Sequence, residues 1–512
     1  NYTCVDGVIY GKSDESLVAW PARRAGAVTL GSNVRKIYDY AFSGARITSI
    51  AMEGDVEYIG EEAFAKSMVT QVTLPSLHTA KEVSAIMPEL PIPKQWSSSA
   101  FNGCSRLVKV VFPEKSILTN NIAFINCTSL KEVVLPDTMM ELSDKMFFGC
   151  TSLESITLPK NITNIPQGCF YNCRRLKNIN LENIGQIGVA AFSHCSSLAG
   201  TLTLNAEKIG ALSFEKCTGI KEVKFNKPLS KILYDQVTEY NYINLIDDRS
   251  SEVLKSLEYV TGGMQSNPFA GCTALTSISV PEGGQVRSID GVLYSLDMKE
   301  LIAFPAALTG KFNIPYGVKS ICPFAFQDSA LTELVTSNSV RYIHYHALNG
   351  SRIKSLTISK GVRYLEELAL DGCMKLESIK VHASNWKYES EDGVLYEKKA
   401  RGSLLLYPSA RKGKKYTVRK EAGLASYSFN NCKYLKEVVM QEGAARDNDI
   451  AFYNCKNIKL YLPESMESYN MYRYSKVFSA FDKTCRGCVM YAKKNSPLAK
   501  FFDKNKVRYQ TY

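Results

Sequence analysis

The chain has 512 residues, 45% of them apolar and 22% charged, with 62 Lys and Arg against 50 Asp and Glu for a formal net charge of +12. That composition is ordinary for a folded protein and excludes a disordered chain. No run approaches the roughly 18 apolar residues that a membrane-spanning helix needs, so no transmembrane segment is expected.

In chain order, residues 1–30 read as a β-hairpin unit, with Asp6-Gly7-Val8-Ile9-Tyr10 followed by Leu17-Val18-Ala19-Trp20-Pro21. A repeat then begins, anchored at Phe42 and Phe64, and is interrupted at 76–99, where Leu77, Val83, Ile86 and Leu90 before Pro91 predict a short helix. From Phe101 a 23-residue period is plain. Phe101-x-x-Cys104-x-x-Leu107 recurs as Phe124-x-x-Cys127-x-x-Leu130, Phe147-x-x-Cys150-x-x-Leu153 and Phe170-x-x-Cys173-x-x-Leu176. Each Leu precedes a short apolar run, three of them closed by proline, as in Val133-Val134-Leu135-Pro136.

A second insertion, 226–266, has near-helical apolar spacing and carries Tyr234, Tyr240 and Tyr242 as candidate partner-binding residues. The hairpin unit returns at 285–315 around Asp290-Gly291-Val292-Leu293-Tyr294, and at 388–420 around Asp392-Gly393-Val394-Leu395-Tyr396. Between them and beyond, anchors continue at Phe326, Leu348, Leu370, Phe429 and Phe452. Residues 1–462 are thus expected to form one solenoid, in which each repeat is too small to bury its own core. Residues 463–512 read as a cap: strand at Val489-Met490-Tyr491, amphipathic helix from Ser496, last strand at Val507-Arg508-Tyr509.

Ten of the fifteen cysteines occupy the same place, three residues after an anchor. A small apolar inward position suits a free thiol, so a ladder of buried thiols is expected rather than a disulfide framework.

The pattern Leu-x-x-Ile-x-Leu-Pro-x-x-Ile-x-x-Ile-x-x-x-Ala-Phe-x-x-Cys, carried with local departures by 130–150 and 153–173, resembles the BspA-like class of leucine-rich repeats, particularly surface proteins of Bacteroidetes. The resemblance implies a right-handed leucine-rich repeat solenoid with a parallel β-sheet on its concave face and short helical or irregular turns on the convex side. It also implies a secreted or surface-exposed protein in a class associated with adhesion, its partner a host matrix or cell-surface protein or a glycan. Lipid anchoring through residues ahead of Asn1 is one route to the surface. The class supplies no catalytic residues and no cofactor.

The usual catalytic constellations are missing from the sequence. Gly7-Val8-Ile9-Tyr10-Gly11-Lys12-Ser13 has one residue too few between its glycines for a phosphate loop, and no zincin, nucleophile-elbow or dinucleotide motif is present. Neither an enzyme nor a metal protein is expected; an active site in 226–266 is the remaining enzymatic reading. His344-x-His346 falls where other turns carry variable polar residues and reads as a solvated turn rather than a ligand pair. Cys485-x-x-Cys488 is expected to be a disulfide or two thiols, with zinc as the alternative. The charge distribution is more distinctive. Lys398, Lys399, Arg401, Arg411, Lys412, Lys414, Lys415, Arg419 and Lys420 fall in one hairpin with no acidic residue among them. They are a candidate polyanion site for sulfated glycan, lipopolysaccharide or nucleic acid, the alternative being a solvated sheet edge.

Overall fold

The computed structural model describes residues 2–12, 15–52, 56–74, 95–114, 122–233, 265–398, 402–443, 451–464 and 485–512. The expected helices at 76–99 and 226–266 therefore lie almost wholly outside the described residues. The chain divides into two compact units, Asn1–Leu296 and Asp297–Tyr512.

One turn shows how the sequence builds each unit. After Leu153 the strand Ser155–Ile156 turns Ile156 and then Leu158 inward, and Pro159, with no N–H to give, ends the ladder. Ile162 and the two-residue strand Asn164–Ile165 close the second side, and Phe170 and Cys173 fill the third. Both strands pair in parallel one turn on: Ser155–Ile156 with Asn178–Ile179, and Asn164–Ile165 with Gln186–Ile187.

Two parallel ladders therefore run through the repeats. In the first unit one begins with Gly26–Leu30, Ile47–Met52, Gln71–Thr73, Lys109–Val111 and Glu132–Val134, the other with Ser16–Ala19, Lys36–Ile37, Tyr58–Ile59 and Gln95–Trp96, and further parallel sheets follow in the later turns. In the second unit they are Gly310–Asn313, Leu331–Val335, Ser355–Ile358 and Ser378–Val381 beside Glu300–Ala303, Ser320–Ile321, Tyr342–Ile343 and Tyr364–Leu365. The second ladder runs where the sequence suggests only short helical or irregular turns.

The third side has no strands but is equally repetitive. The anchor N–H donates to the turn ahead, as from Phe147 to the Cys169 carbonyl (2.8 Å) and from Phe170 to Ala191 (2.8 Å). The anchor rings stack at 4.9 Å for Phe42 and Phe64 and 4.8 Å for Phe64 and Phe101, close to the spacing of paired strands. Neither insertion breaks this stack: Phe64 N donates to Ala100 O, and Phe214 N to Pro268 O, each at 2.8 Å. Two residues on this side adopt left-handed backbone, two before and two after the anchor, as in Lys145 (φ 55°) and Gly149 (φ 73°) around Phe147.

The cysteines line the core as the spacing predicts. Ladder thiols reach the carbonyl of the preceding anchor, Cys127 to Phe101 at 3.3 Å and Cys173 to Phe147 at 3.2 Å among them; Cys432 instead lies 3.9 Å from Asn430 O in its own turn. Burial pushes Cys150, Cys195 and Cys217 far above the ordinary thiol range.

Each hairpin unit contains a strand that the sequence does not advertise. Tyr2–Val5, Val286–Ile289 and Tyr388–Glu391 pair antiparallel with Val8–Gly11, Val292–Ser295 and Val394–Glu397. The joining pairs Asp6-Gly7, Asp290-Gly291 and Asp392-Gly393 all have positive φ, the type I′ turn that Asp-Gly favours. At the other end Val489–Ala492 joins a further parallel ladder, after Lys415–Val418, Glu437–Met440 and Lys459–Tyr461, and the helix Pro497–Lys504 lays Leu498, Ala499 and Phe502 on the core. Ser496 caps this helix, its Oγ accepting from Ala499 N at 3.1 Å.

Candidate interaction surface

The candidate cations of the 388–420 hairpin have different fates. Lys398 Nζ donates to the carbonyls of Ala383 and Asn385. Arg411 lies 5.4 Å from the ring centroids of both Tyr407 and Tyr416, and donates to the Asp392 carbonyl (3.0 Å) and the Tyr407 hydroxyl (3.3 Å). Arg419 sits 4.4 Å over Tyr396, pairs with Glu389, and donates to the carbonyls of Glu397 and Gly402. These three hold the hairpin to its neighbours. Lys412, Lys414, Lys415 and Lys420 are exposed, while Lys399 and Arg401, like Tyr234, Tyr240 and Tyr242 of the insertion, lie outside the described residues.

The lysines do not stand alone. Lys414 O accepts from Lys436 N (2.7 Å) and Lys436 O from Lys459 N (2.8 Å), while Lys415 faces Glu437 and Glu437 faces Lys459 in the ladder. Lys436 and Lys459 are exposed, so the basic surface continues onto two further turns.

A second surface is absent from the sequence reading. Beside the two-residue strands of the second unit, Lys299, Lys319, Arg341 and Arg363 follow one another turn by turn, joined by backbone hydrogen bonds of 2.7, 2.7 and 2.9 Å. In the next position Tyr342 pairs with Tyr364; their rings stack at 5.0 Å and 4°, and Lys387 Nζ lies 5.1 Å over Tyr364. Lys299 is held by Asp297 at 2.7 Å and Arg341 by the Asn338 carbonyl at 2.7 Å. Tyr316, 85% exposed, and Trp386, 60% exposed, lie within a few residues of this stripe in the chain. Its signal was available in Val340-Arg341-Tyr342-Ile343 and Val362-Arg363-Tyr364-Leu365, 22 residues apart.

The repeat itself decides the family. The BspA type leucine rich repeat region (6 copies) matches residues 24–86, 94–221, 199–308, 302–391 and 420–486. The chain belongs to the BspA-type leucine-rich repeat family. This BspA-type chain is similar to a leucine rich cell surface protein of Faecalibacterium prausnitzii A2-165, at 16% identity over 92% of this chain and 97% of that one, with a TM-score of 0.44. A leucine-rich repeat protein of Eubacterium ventriosum is likewise 16% identical, over 71% of this chain and 74% of that one (TM-score 0.41). One from Bacteroides ovatus is 16% identical over 96% and 98% (TM-score 0.31). No curated relative matches the chain.

The BspA-type turns dispose of the two histidines differently from a solvated turn. Both are buried, so that reading is corrected: the position faces the neighbouring turn. His344 Nδ1 donates to Glu366 Oε1 at 2.8 Å, a bond that holds the Glu366 carboxyl below its usual range. His346 packs against Phe324 and Tyr345, with Nδ1 3.1 Å from Asn349 Nδ2. The pair thus has separate partners and forms no chelate. Cys485 and Cys488 are joined as a disulfide. Among the described residues no group of three or more His, Cys, Asp or Glu could hold a metal, and no helix is long and apolar enough to cross a membrane.

Proposed function

We propose that this chain is a non-enzymatic recognition protein of the cell surface or extracellular space, binding a protein or glycan partner through exposed residues of its repeats. The observation that carries this reading is the stacked pair Tyr342 and Tyr364 under Lys387. Half-exposed rings in a row flanked by Arg363 and Lys319 have the composition of an interface centre, where Tyr and Arg are enriched. Membership of a leucine-rich repeat family, whose members generally bind proteins, supports it.

The test is a binding screen of the purified chain against matrix proteins, cell-surface proteins and glycans, repeated with Tyr364→Ala and Lys387→Ala combined. Loss of the captured partner with unchanged thermal stability supports the reading. Full binding by the double variant would overturn the assignment of the surface, and turnover of a substrate would overturn the function.

A second reading rests on the lysines. Lys412, Lys414, Lys415 and Lys420, extended by Lys436 and Lys459, offer a polyanion several point charges on adjacent strands. Such binding weakens steeply with salt, because each neutralised anion releases counterions. Heparin retention lost at moderate salt would favour it; salt-insensitive capture of a protein would favour the first reading.

A further inference from the structure

The repeats of the second unit part at one joint. Leu348 N donates to Ala369 O at 2.9 Å and Tyr407 N to Ser428 O at 2.7 Å, but among the described residues no such bond runs from Leu370 to the turn ahead. The hairpin strands Tyr388–Glu391, Val394–Glu397 and Leu404–Leu406 form their own sheet at this point. Contact resumes around the gap. Ser409 Oγ donates to Cys373 O at 2.8 Å, and Asn430 Nδ2 donates to Asp371 Oδ1 at 2.7 Å, reaching past the Tyr407 turn.

What the parted turns enclose is a cavity of about 380 Å³, within the range that small-molecule sites occupy. Its wall is apolar where Leu365, Leu368, Leu405, Leu406 and Tyr427 leave part of their surface uncovered. Leucine is buried in the regular turns of this chain, so the partly exposed leucines here are surface left over by the break in stacking. The polar part of the lining is one-sided: it includes the carboxylates of Glu366, Glu367 and Asp371 and no Lys, Arg or His. Glu366 is already engaged by His344. Asp371 takes one strong hydrogen bond from Asn430 and a longer one, 3.4 Å, from Asn349.

We propose that this cavity is a binding site for a small organic cation with an apolar body, its ammonium group meeting Asp371 and its hydrocarbon covering the leucine wall. Charge selects the class: an anion would face carboxylates without a counter-cation, and a neutral ligand would leave Asp371 with neutral donors alone, the amides of Asn430 and Asn349 and the Gly372 N–H. Burial, which pushes the Asp371 carboxyl above its usual range, marks a carboxylate that a buried cation would relieve. The site is separate from the Tyr342 and Tyr364 stripe and does not depend on what that stripe binds.

Titration calorimetry of the full chain at neutral pH and low salt, with 2-phenylethylamine, 2-phenylethanol and phenylacetate as probes, tests the proposal. The amine is expected to bind saturably and about tenfold more tightly than the alcohol, the size of one charge-assisted hydrogen bond, with phenylacetate weakest. Asp371→Asn, which keeps an acceptor for Asn430, should bring the amine to the level of the alcohol. Ser426→Trp, filling the cavity from its lining, should abolish binding of both, with Ala425→Leu as the milder variant if the first does not fold. Absence of saturable amine binding, equal affinity for the three probes, or an Asp371→Asn chain that still prefers the amine would each overturn it.

Discussion

The thiol of Cys150 donates to the carbonyl oxygen of Phe124, one turn back, at 3.2 Å. The same bond joins Cys195 to Phe170 at 3.0 Å and Cys217 to Phe192 at 3.1 Å. The cysteine therefore fills space and ties successive turns together. Cys150→Ala should cost about 1–3 kcal/mol through a lost hydrogen bond and a small void, read as a lower urea midpoint. A wild-type midpoint would refute it.

The converse change is available in the second unit, where Ser329 stands in the cysteine position with its buried Oγ unpartnered among the described residues. Ser329→Cys should raise stability by about 1 kcal/mol, the longer, less polar side chain losing a desolvated hydroxyl. Cys150→Ser, for the same reason, should be no better tolerated than Cys150→Ala. Thermal unfolding of the variants decides both.

Gly149 follows its anchor in left-handed backbone, φ 73°, and a Cβ built there would come within 2.3 Å of Asn126 Oδ1. Gly149→Ala should destabilise by about 1–2 kcal/mol from backbone strain alone, and more if Asn126 cannot move. Gly44 has the same conformation with open space around it, so Gly44→Ala should show the strain without the clash. Equal losses at the two sites would show that the neighbour gives way.

Arginines and lysines of the basic hairpin should separate in experiment. Arg419→Ala removes a cation from over Tyr396 and the partner of Glu389, and should cost about 1–2 kcal/mol. Lys412, Lys414, Lys415 and Lys420 changed together to Glu should leave the thermal midpoint nearly unmoved and lower the salt concentration at which heparin releases the chain. If the Arg419 variant proved fully stable, its place as a clamp would be refuted.

Acid should weaken the fold before the carboxylates titrate. Burial holds His346 at about 4, and burial, with Lys216 and Arg174 nearby, holds His194 at about 4, against an ordinary value of 6.5. The unfolded chain takes up these protons as pH falls through 6.5; the folded chain resists until about 4. Stability from this source is whole above 6.5, declines between 6.5 and 4, and levels off below. His346→Asn, compatible with the left-handed φ of 51° at that position, should remove roughly half of the decline in urea midpoint. A flat wild-type profile across this window would contradict it.

The repeat was legible because its inward positions, Phe, Cys and Leu at fixed offsets, are set by a core that recurs every turn. The second ladder was not, because strands as short as Lys36–Ile37 or Asn164–Ile165 have no room for an alternating pattern. Tyr2–Val5 and its counterparts were hidden for a related reason: the first is exposed throughout, and Val286–Ile289 and Tyr388–Glu391 bury only their first residue, so none carries an alternating signature. The fates of Arg411 and Arg419 depend on which tyrosine rings the fold brings beneath them, a fact of packing that charge counting along the chain does not contain. The joint after Leu370 is a missing anchor bond, and its trace in the sequence is the hairpin unit at 388–420 that follows it; the change of anchor from Phe to Leu does not mark it, since Leu348 keeps its bond to the turn ahead.

Apart from Cys4, every free cysteine among the described residues is buried, and their order along the chain runs from Cys104 to Cys455. A thiol held away from solvent meets an alkylating reagent only while its own turn is open. Brief labelling at rising urea, followed by mapping of the modified peptides, would therefore read out the sequence in which turns come apart, and any rung labelled early beside the Leu370 joint would mark where the molecule first gives way.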